Sequence, residues 1–311
     1  MSRSARSLMI IAASWGLALA PGSLLAQRPT NIHVVTDSVT AGVYLLGVTS
    51  DQGPVLAQVT VFSTGAGALL IDTHAGQAAP LLQATLDGLG LPPITTAINT
   101  HWHPDHNNGN AAWRAKGVTV VAHENTRALL AHPQVATGLT GPGTEFRAPA
   151  VAPEGLPDLT FSDSLSLYVG EEMVRVFHPG PSHTGGDAVV WIPSRGVLHL
   201  GDLYWPGSFP SIDTHNGGTA VGLAHAIGEI LKWLPEDATV LSGHGPSTDK
   251  KALELYHDMI TETVDGVLEM SQAGKTDAQI VEGLDSDWST WASPLVPTAQ
   301  WVKLIRASQQ K

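Results

Sequence analysis

The stretch from Thr100 to Asn110, THWHPDHNNGN, constrains this chain more than any other part of it. His101, His103, Asp105 and His106 fall within one short segment, directly after a run from Ile94 to Ile98 that reads as a buried strand. Side chains two apart project to the same side of an extended segment, so His101 and His103 can share one ion. Imidazole and carboxylate are the usual nitrogen and oxygen ligands of zinc. Pro104 ends the extended run and lets Asp105 and His106 turn toward a second point. That is the layout of a two-metal site. With 14 histidines in the chain such a motif can also arise by chance, so its weight depends on distant partners.

Candidate partners lie downstream, each in a loop that closes an expected strand. His183 sits in PSHTGGD after Met173 to Phe177, Asp202 in HLGD at the end of Val197 to Leu200, and His244 in LSGHGP after Thr239 to Leu241. Asp72 closes a strand from Ala68 to Ile71 in the same way. The carboxyl ends of strands are where layered α/β folds usually keep their sites. Gly185, Gly186, Gly243 and Gly245 flank these histidines and would let backbone approach closely.

Between these points the pattern is strands then helices, twice. Ile32 to Val35, Val43 to Val48 and Val55 to Phe62 read as further strands, and the leucine spacing from Gln77 to Leu89 is helical, ending at Gly90 and Pro92. A short helix near Asn110 to Lys116, a strand at Val118 to Ala122 and a helix after Glu124 follow. Leu165 to Val169 and Ala188 to Ile192 complete the second strand series. Two amphipathic helices come after it: Ala220 to Leu234 stopped by Pro235, and one capped near Asp249 and ended by Gly274. Residues 138 to 158 are rich in Gly and Pro without periodicity, and read either as a linker or as an excursion that could cover the site. The expected fold class is α/β, two similar halves packed sheet against sheet with helices outside.

Residues 1 to 26 stand apart from this plan. Arg3 and Arg6 precede an apolar run from Leu8 to Ala20, then Pro21-Gly22 and a small-residue exit at Ala26. The run is shorter than the roughly 20 residues of a membrane-spanning helix and reads as a secretory signal peptide, predicting export, most simply to a bacterial periplasm, and a mature single domain over 27–311 with no stable membrane association. Removing the two arginines takes the formal net charge from −12 to about −14. Such a surface repels phosphate backbones and argues against a nucleic-acid partner, leaving a small-molecule substrate. The chain has no cysteine, so it has neither disulfides nor a thiolate ligand, and any zinc must be held by His and carboxylate.

In order, Asp72, His101-x-His103-x-Asp105-His106, His183, Asp202 and His244 resemble the motifs of the metallo-β-lactamase superfamily, over roughly Asp72 to Gly245. That resemblance implies a four-layer αββα sandwich and two zinc ions, with iron or manganese as alternative metals. It implies that His101, His103 and His183 hold one ion, that Asp105, His106 and His244 hold the other, and that Asp202 bridges them. Many β-lactamases of the superfamily have a cysteine where this chain has Asp202, so the site looks like that of the wider hydrolase group, thioesterases and lactonases included.

The expected chemistry is hydrolysis without a covalent intermediate. Two cations roughly 3.5–4 Å apart share a water, lower its pKa toward neutrality, and the hydroxide attacks a polarised carbonyl. Asp105 would orient that hydroxide as well as ligate. The substrate is expected to be a small ester, lactone, thioester or amide, with a β-lactam as the alternative. An iron-dependent oxidoreductase and a non-catalytic periplasmic metal-binding protein are the readings of other classes. Asp72 is a candidate to orient a ligand histidine. Tyr204, Trp205 and Phe209 are candidates to line the pocket, and His215 to reach substrate, while His178 and His199 read as structural histidines with satisfied rings.

Overall fold

A computed structural model describes residues 32–50, 53–137 and 144–308. The proposed leader, 1–26, lies outside these residues, and so does 138–143 of the Gly/Pro-rich stretch. Among the described residues no helix is long and apolar enough to cross a membrane.

The first half builds a seven-stranded sheet. Strands β1 (Ile32–Thr40), β2 (Val43–Ser50), β3 (Gly53–Thr64) and β4 (Gly67–Ile71) form an antiparallel meander. Helix α1 (Ala79–Gly88) then crosses to β5 (Ile94–Ile98), and α2 (Pro104–Asn107) and α3 (Asn110–Arg114) lead to β6 (Thr119–His123). These strands run parallel to β4. After α4 (Glu124–Leu130) the chain forms a separate hairpin of β7 (Gln134–Thr137) and β8 (Glu145–Ala148), then adds β9 (Leu159–Phe161) parallel to β6 at the sheet edge. The described part of the Gly/Pro-rich stretch, 144–158, is tied to this layer: Asn110 Nδ2 donates to Gly155 O at 3.0 Å and Val151 N to Leu130 O at 2.8 Å.

The second half builds a six-stranded sheet from β10 (Ser164–Val169), β11 (Glu172–Phe177), β12 (Val189–Ile192), β13 (Val197–His199), β14 (Thr239–Leu241) and β15 (Thr248–Asp249), adjacent in that order, with β13 and β14 parallel. Its outer cover is α5 (Ala220–Trp233), α6 (Lys250–Gln272), α7 (Asp277–Trp288) and α8 (Thr298–Ser308).

The period of two along the strands explains the four layers. Leu69, Ile71, Ile98 and Val121 face Val174, Val176, Val190, Val197 and Leu241 between the sheets. Their neighbours Leu70, Ala97 and Val120 point the other way, onto Leu82, Leu86 and Trp113 beneath α1 and α3. Leu198 and Val240 likewise turn outward onto Leu223, Ile227, Tyr256, Ile260 and Trp301 of the helical cover. Strands buried on both faces read as continuous apolar runs, as GALLI and TVVAH do. Helices α7 and α8 were not anticipated; α7 carries a capping box in which Thr276 and Gln279 exchange hydrogen bonds. α5 and α6 follow the expected faces, with Thr219 and Asp249 as N-caps.

Parallel pairing brings the strand ends to one edge. Asp72 N donates to Ile98 O and Asn99 N to Val121 O in the first sheet, and Leu200 N donates to Leu241 O in the second. Ala188 N to Thr100 O (2.7 Å) and Gln58 N to Gly243 O (2.8 Å) tie the two edges together.

Candidate metal centre

Two clusters of ligand-type side chains meet at that edge: His101, His103, His183 and Asp202, and beside them Asp105, His106 and His244, each group's donor atoms lying within 4.8 Å of one another. The structure thus brings together all seven side chains singled out as ligands in the sequence. His101 and His103 extend from the end of β5, and Pro104 starts the four-residue helix α2 that carries Asp105 and His106. His183 follows β11, Asp202 follows β13 and His244 follows β14.

The ring nitrogens of the first cluster converge on one another. His101 Nε2 and His183 Nε2 each lie 3.0 Å from His103 Nδ1. The outer nitrogen of each ring is already committed as a donor. His183 Nδ1 donates to Ser211 O at 2.7 Å, and His103 Nε2 to Asp213 Oδ2 at 3.2 Å. Thr100 Oγ1 donates to Asp72 Oδ2 at 2.8 Å, so it accepts from His101 Nδ1 at 3.0 Å. A neutral imidazole that donates from one nitrogen presents a lone pair at the other, so three lone pairs point at a common spot.

In the second cluster His106 Nδ1 donates to Asp72 Oδ2 at 2.7 Å. Its Nε2 faces His244 Nε2 at 3.3 Å, Asp202 Oδ1 at 3.3 Å and Asp105 Oδ2 at 3.6 Å. Asp202 Oδ2 is 3.7 Å from His183 Nε2 and 3.3 Å from His244 Nε2, so this carboxylate reaches both groups. Among the described residues its Oδ1, though buried, has no hydrogen-bond partner. A buried carboxylate oxygen left in this state, amid inward-facing lone pairs, fits a cation.

The electrostatics divide the rings into two kinds. Burial, with the neighbouring His103, pulls His183 down to about 4, and burial with His106 and His103 holds His101 well below its usual value. Burial also opposes the charge on His106 and His244, but there it is outweighed: Asp202, Asp105 and Asp72 push His106 up to about 9, and Asp202 with Asp105 pushes His244 up to about 10. Against their own burial, the Asp105 and Asp202 carboxyls stay well below the usual carboxylate range through His106 and His244. Four carboxylate and imidazole groups at this distance call for positive charge, supplied by protons or by metal.

The surrounding residues sharpen several expectations. Asp72 holds His106 directly and His101 through Thr100, and its φ of 66° keeps it in the left-handed turn that aims it there. Trp205 stacks on His244 at 4.7 Å and donates Nε1 to Asp202 O at 3.0 Å. Tyr204 does not line a pocket: it is buried against Tyr256, and its hydroxyl accepts from Thr248. Phe209 is likewise in the core, stacked on Trp301. His215 is exposed in the turn after Asp213. His178 donates to Asp187 O at 2.7 Å and stacks on His123, a structural role. His199 departs from expectation, since its buried Nε2 has no partner among the described residues while Nδ1 accepts from Gly201 N.

Sequence reasoning missed Asp213, Thr100 and Ser211, and it marked Gly243 as a point of close approach without showing that Asp202 is what approaches it. Asp213 Oδ2 accepts from His103, from Trp102 Nε1 at 3.0 Å and from Asn216 Nδ2 at 2.7 Å. Nothing local in SIDTHNGG distinguishes this aspartate from a turn residue. Thr100 was legible only as the residue between the strand and the first histidine.

The model of the metallo-beta-lactamase superfamily matches residues 53–249, and the chain belongs to that superfamily. Among curated relatives, "Metallo-beta-lactamase type 2" of Elizabethkingia meningoseptica is 24% identical over 165 residues, covering 53% of this chain and 59% of that protein. "Probable metallo-hydrolase YqgX" of Bacillus subtilis is 32% identical over 162 residues, covering 51% of this chain and 72% of that one. The chain therefore spans about three fifths of the first of these and nearly three quarters of the second. Of solved structures, a metallo-beta-lactamase from Pontibacter korlensis superposes with a TM-score of 0.59 at 24% identity over 74% of this chain and 99% of that one. The metallo-beta-lactamase FIM-1 from Pseudomonas aeruginosa, in its mono-zinc form, gives 0.60 at 19% identity over 75% and 97%. These likenesses fix the fold as the αββα sandwich of the superfamily.

Proposed function

We propose that this protein is an exported, metal-dependent hydrolase that holds two zinc ions and acts on a small carbonyl substrate such as an ester, lactone, thioester or amide. The observation that carries the reading is Asp202, a buried carboxylate shared by two convergent ligand groups, with an oxygen that has no hydrogen-bond partner among the described residues. His101, His103, His183 and Asp202 would hold one ion, and Asp105, His106, His244 and Asp202 the other. Bound there, zinc would supply Lewis acidity to a carbonyl and lower the pKa of water toward neutrality.

The chain's own residues set the direction of approach. The side chains of Asp105 and His244 are each 20% exposed, against 4% or less for the first cluster, so substrate reaches the centre from the Asp105–His244 side. Asp105 stays ionised there and acts as an acceptor that can orient a water. Trp205, packed flat on His244, forms an apolar wall beside the entrance and excludes bulk water from one flank. Asp72 and Asp213 fix the tautomers of His106 and His103 through hydrogen bonds to the outer nitrogens.

β-Lactams are the second substrate reading, favoured by relatives named as metallo-beta-lactamases in Elizabethkingia meningoseptica and Bacteroides fragilis. Asp202 favours the broader hydrolase. The test is turnover of a chromogenic cephalosporin, a lactone and an aryl ester by zinc-loaded protein, beside His103→Ala. Zinc-dependent turnover of the lactone or ester, lost in the variant, is expected. Efficient cephalosporin turnover would shift the assignment to a β-lactamase, and silence on all three would overturn the hydrolase reading.

A further inference from the structure

The β7–β8 hairpin belongs to neither large sheet. A two-stranded hairpin is marginal in water by itself, so its order depends on what it is tied to. Beside the bond from Gln134 Nε2 to Leu129 O at 2.9 Å, two of its ties end on one and the same atom. Ala136 packs with Trp102 and Leu130 in a small buried cluster, and Trp102 Nε1 donates to Asp213 Oδ2. Beside it, Asn216 Nδ2 donates to Val135 O at 2.9 Å and to that same Asp213 oxygen at 2.7 Å. The Asn216 amide nitrogen has two hydrogens and spends one on each acceptor. Turned over, the amide would set its oxygen against two acceptors, so its orientation is fixed by the partners. Its backbone is pinned too, since Gly185 N donates to Asn216 O at 2.8 Å and Asn216 N to Asp213 O at 3.1 Å. Asp213 Oδ2 is also the acceptor for His103 Nε2.

We propose that Asn216 is a positioning residue that couples the order of the β7–β8 hairpin to the placement of His103, so that a metal ion held by the His101 cluster and an ordered hairpin stabilise one another. The proposal rests on the metal-centre reading above. A hairpin that detaches takes Val135 O away from Asn216, frees the amide to rotate, and removes one of the two donors that, beside His103 itself, hold the Asp213 oxygen in line with His103. The reverse follows by linkage, because a coupling between two events acts equally in both directions. Fixing His103 on a cation fixes Asp213, then Asn216, then Val135.

The test is amide hydrogen exchange of the full-length protein with and without zinc, read over 134–137 and 145–148, with the β10–β11 hairpin as internal reference. In the wild type, zinc is expected to slow exchange in the β7–β8 hairpin by roughly three- to tenfold, the span that one hydrogen bond's net contribution supports. In Asn216→Ala this zinc-dependent slowing is expected to fall well below that of the wild type, to what the Trp102 contact alone carries, while the protein still binds zinc more weakly. Asn216→Asp, which sets carboxylate oxygens against Asp213 Oδ2 and Val135 O, is expected to weaken zinc further. Equal zinc-dependent slowing in wild type and Asn216→Ala would overturn the proposal. So would a wild-type hairpin indifferent to zinc, an arm that decides even where Asn216→Ala does not fold. Zinc content of the same samples separates the two failures, because a wild type that takes up no zinc overturns the metal-centre reading itself.

Discussion

Replacing Gly243 by alanine would press a methyl group onto the Asp202 carboxylate. A Cβ at this position would lie 2.7 Å from His106 Cε1 and far inside contact distance of Asp202 Oδ1. Carbon contacts are comfortable from about 3.5 Å, so the ring must yield by about 0.8 Å and the carboxylate by on the order of 1 Å. The backbone cannot back away, because Gly243 O accepts from Gln58 N and Gly243 N donates to Gly201 O. Gly243 is not in the left-handed region, so alanine costs nothing in φ and the strain falls on the two side chains. Overpacking of this kind costs about 1–3 kcal/mol, which leaves the fold intact. A shift near 1 Å at the reacting centre costs on the order of 100-fold in rate. We expect Gly243→Ala to melt cooperatively a few degrees below wild type, to lose zinc at lower chelator concentration by at least about tenfold, and to lose about 100-fold in turnover. A folded variant with wild-type zinc affinity and wild-type turnover would refute the placement of Asp202 between the two ligand groups.

Three further outcomes follow from the same geometry. Asp72→Asn keeps the size and tolerates φ of 66°, but weakens the acceptor for His106 and Thr100, so chelator competition should show roughly 10–100-fold weaker metal binding; unaltered affinity would count against its orienting role. Trp205→Phe retains a ring over His244 and loses only the bond to Asp202 O, whereas Trp205→Ala loses both, so zinc affinity should fall in the order wild type, Phe, Ala. The metal-free protein carries protons on His106 and His244 at neutral pH, with values near 9 and 10. Because these folded values lie above the unfolded value near 6.5, the stability they contribute is full below that pH and is lost as pH rises through 9 to 10. Metal competes for the same nitrogens, so its uptake at about pH 7.5 should release close to two protons, and affinity should climb with pH until about 9–10. Calorimetry in buffers of different ionisation enthalpy reads this directly, and uptake without proton release would contradict it.

The β7–β8 hairpin and β9 escaped the sequence reading because these strands are only three or four residues long, too short for alternation such as that of Glu145–Ala148 to stand out. Their pairing is set by Trp102, Leu130 and the edge of β6. Tyr204 and Phe209 carry the signature of pocket aromatics, following a ligand aspartate in a Gly/Pro-rich loop, yet that loop dives under α6 and α8 and buries both rings. Helix α7 was readable in principle from its Thr276–Gln279 capping box.

What the sequence determined by itself is the chemistry on offer and the layer order. Residue types at short spacing, HxHxDH after an apolar strand, report ligands directly, and apolar runs report strands buried on both faces, because both signals depend only on neighbours along the chain. What the tertiary structure decided is which of the remaining polar groups serve the centre. Asp213 and Ser211 reach His103 and His183 across long stretches of sequence, and Gly243 matters because its missing side chain leaves room for Asp202. Those relations exist only once parallel pairing has drawn the carboxyl ends of both sheets to a single edge, since hydrogen bonds between distant segments leave no mark on the sequence around either one, and a glycine such as Gly243 shows room for a close approach without showing which side chain fills it.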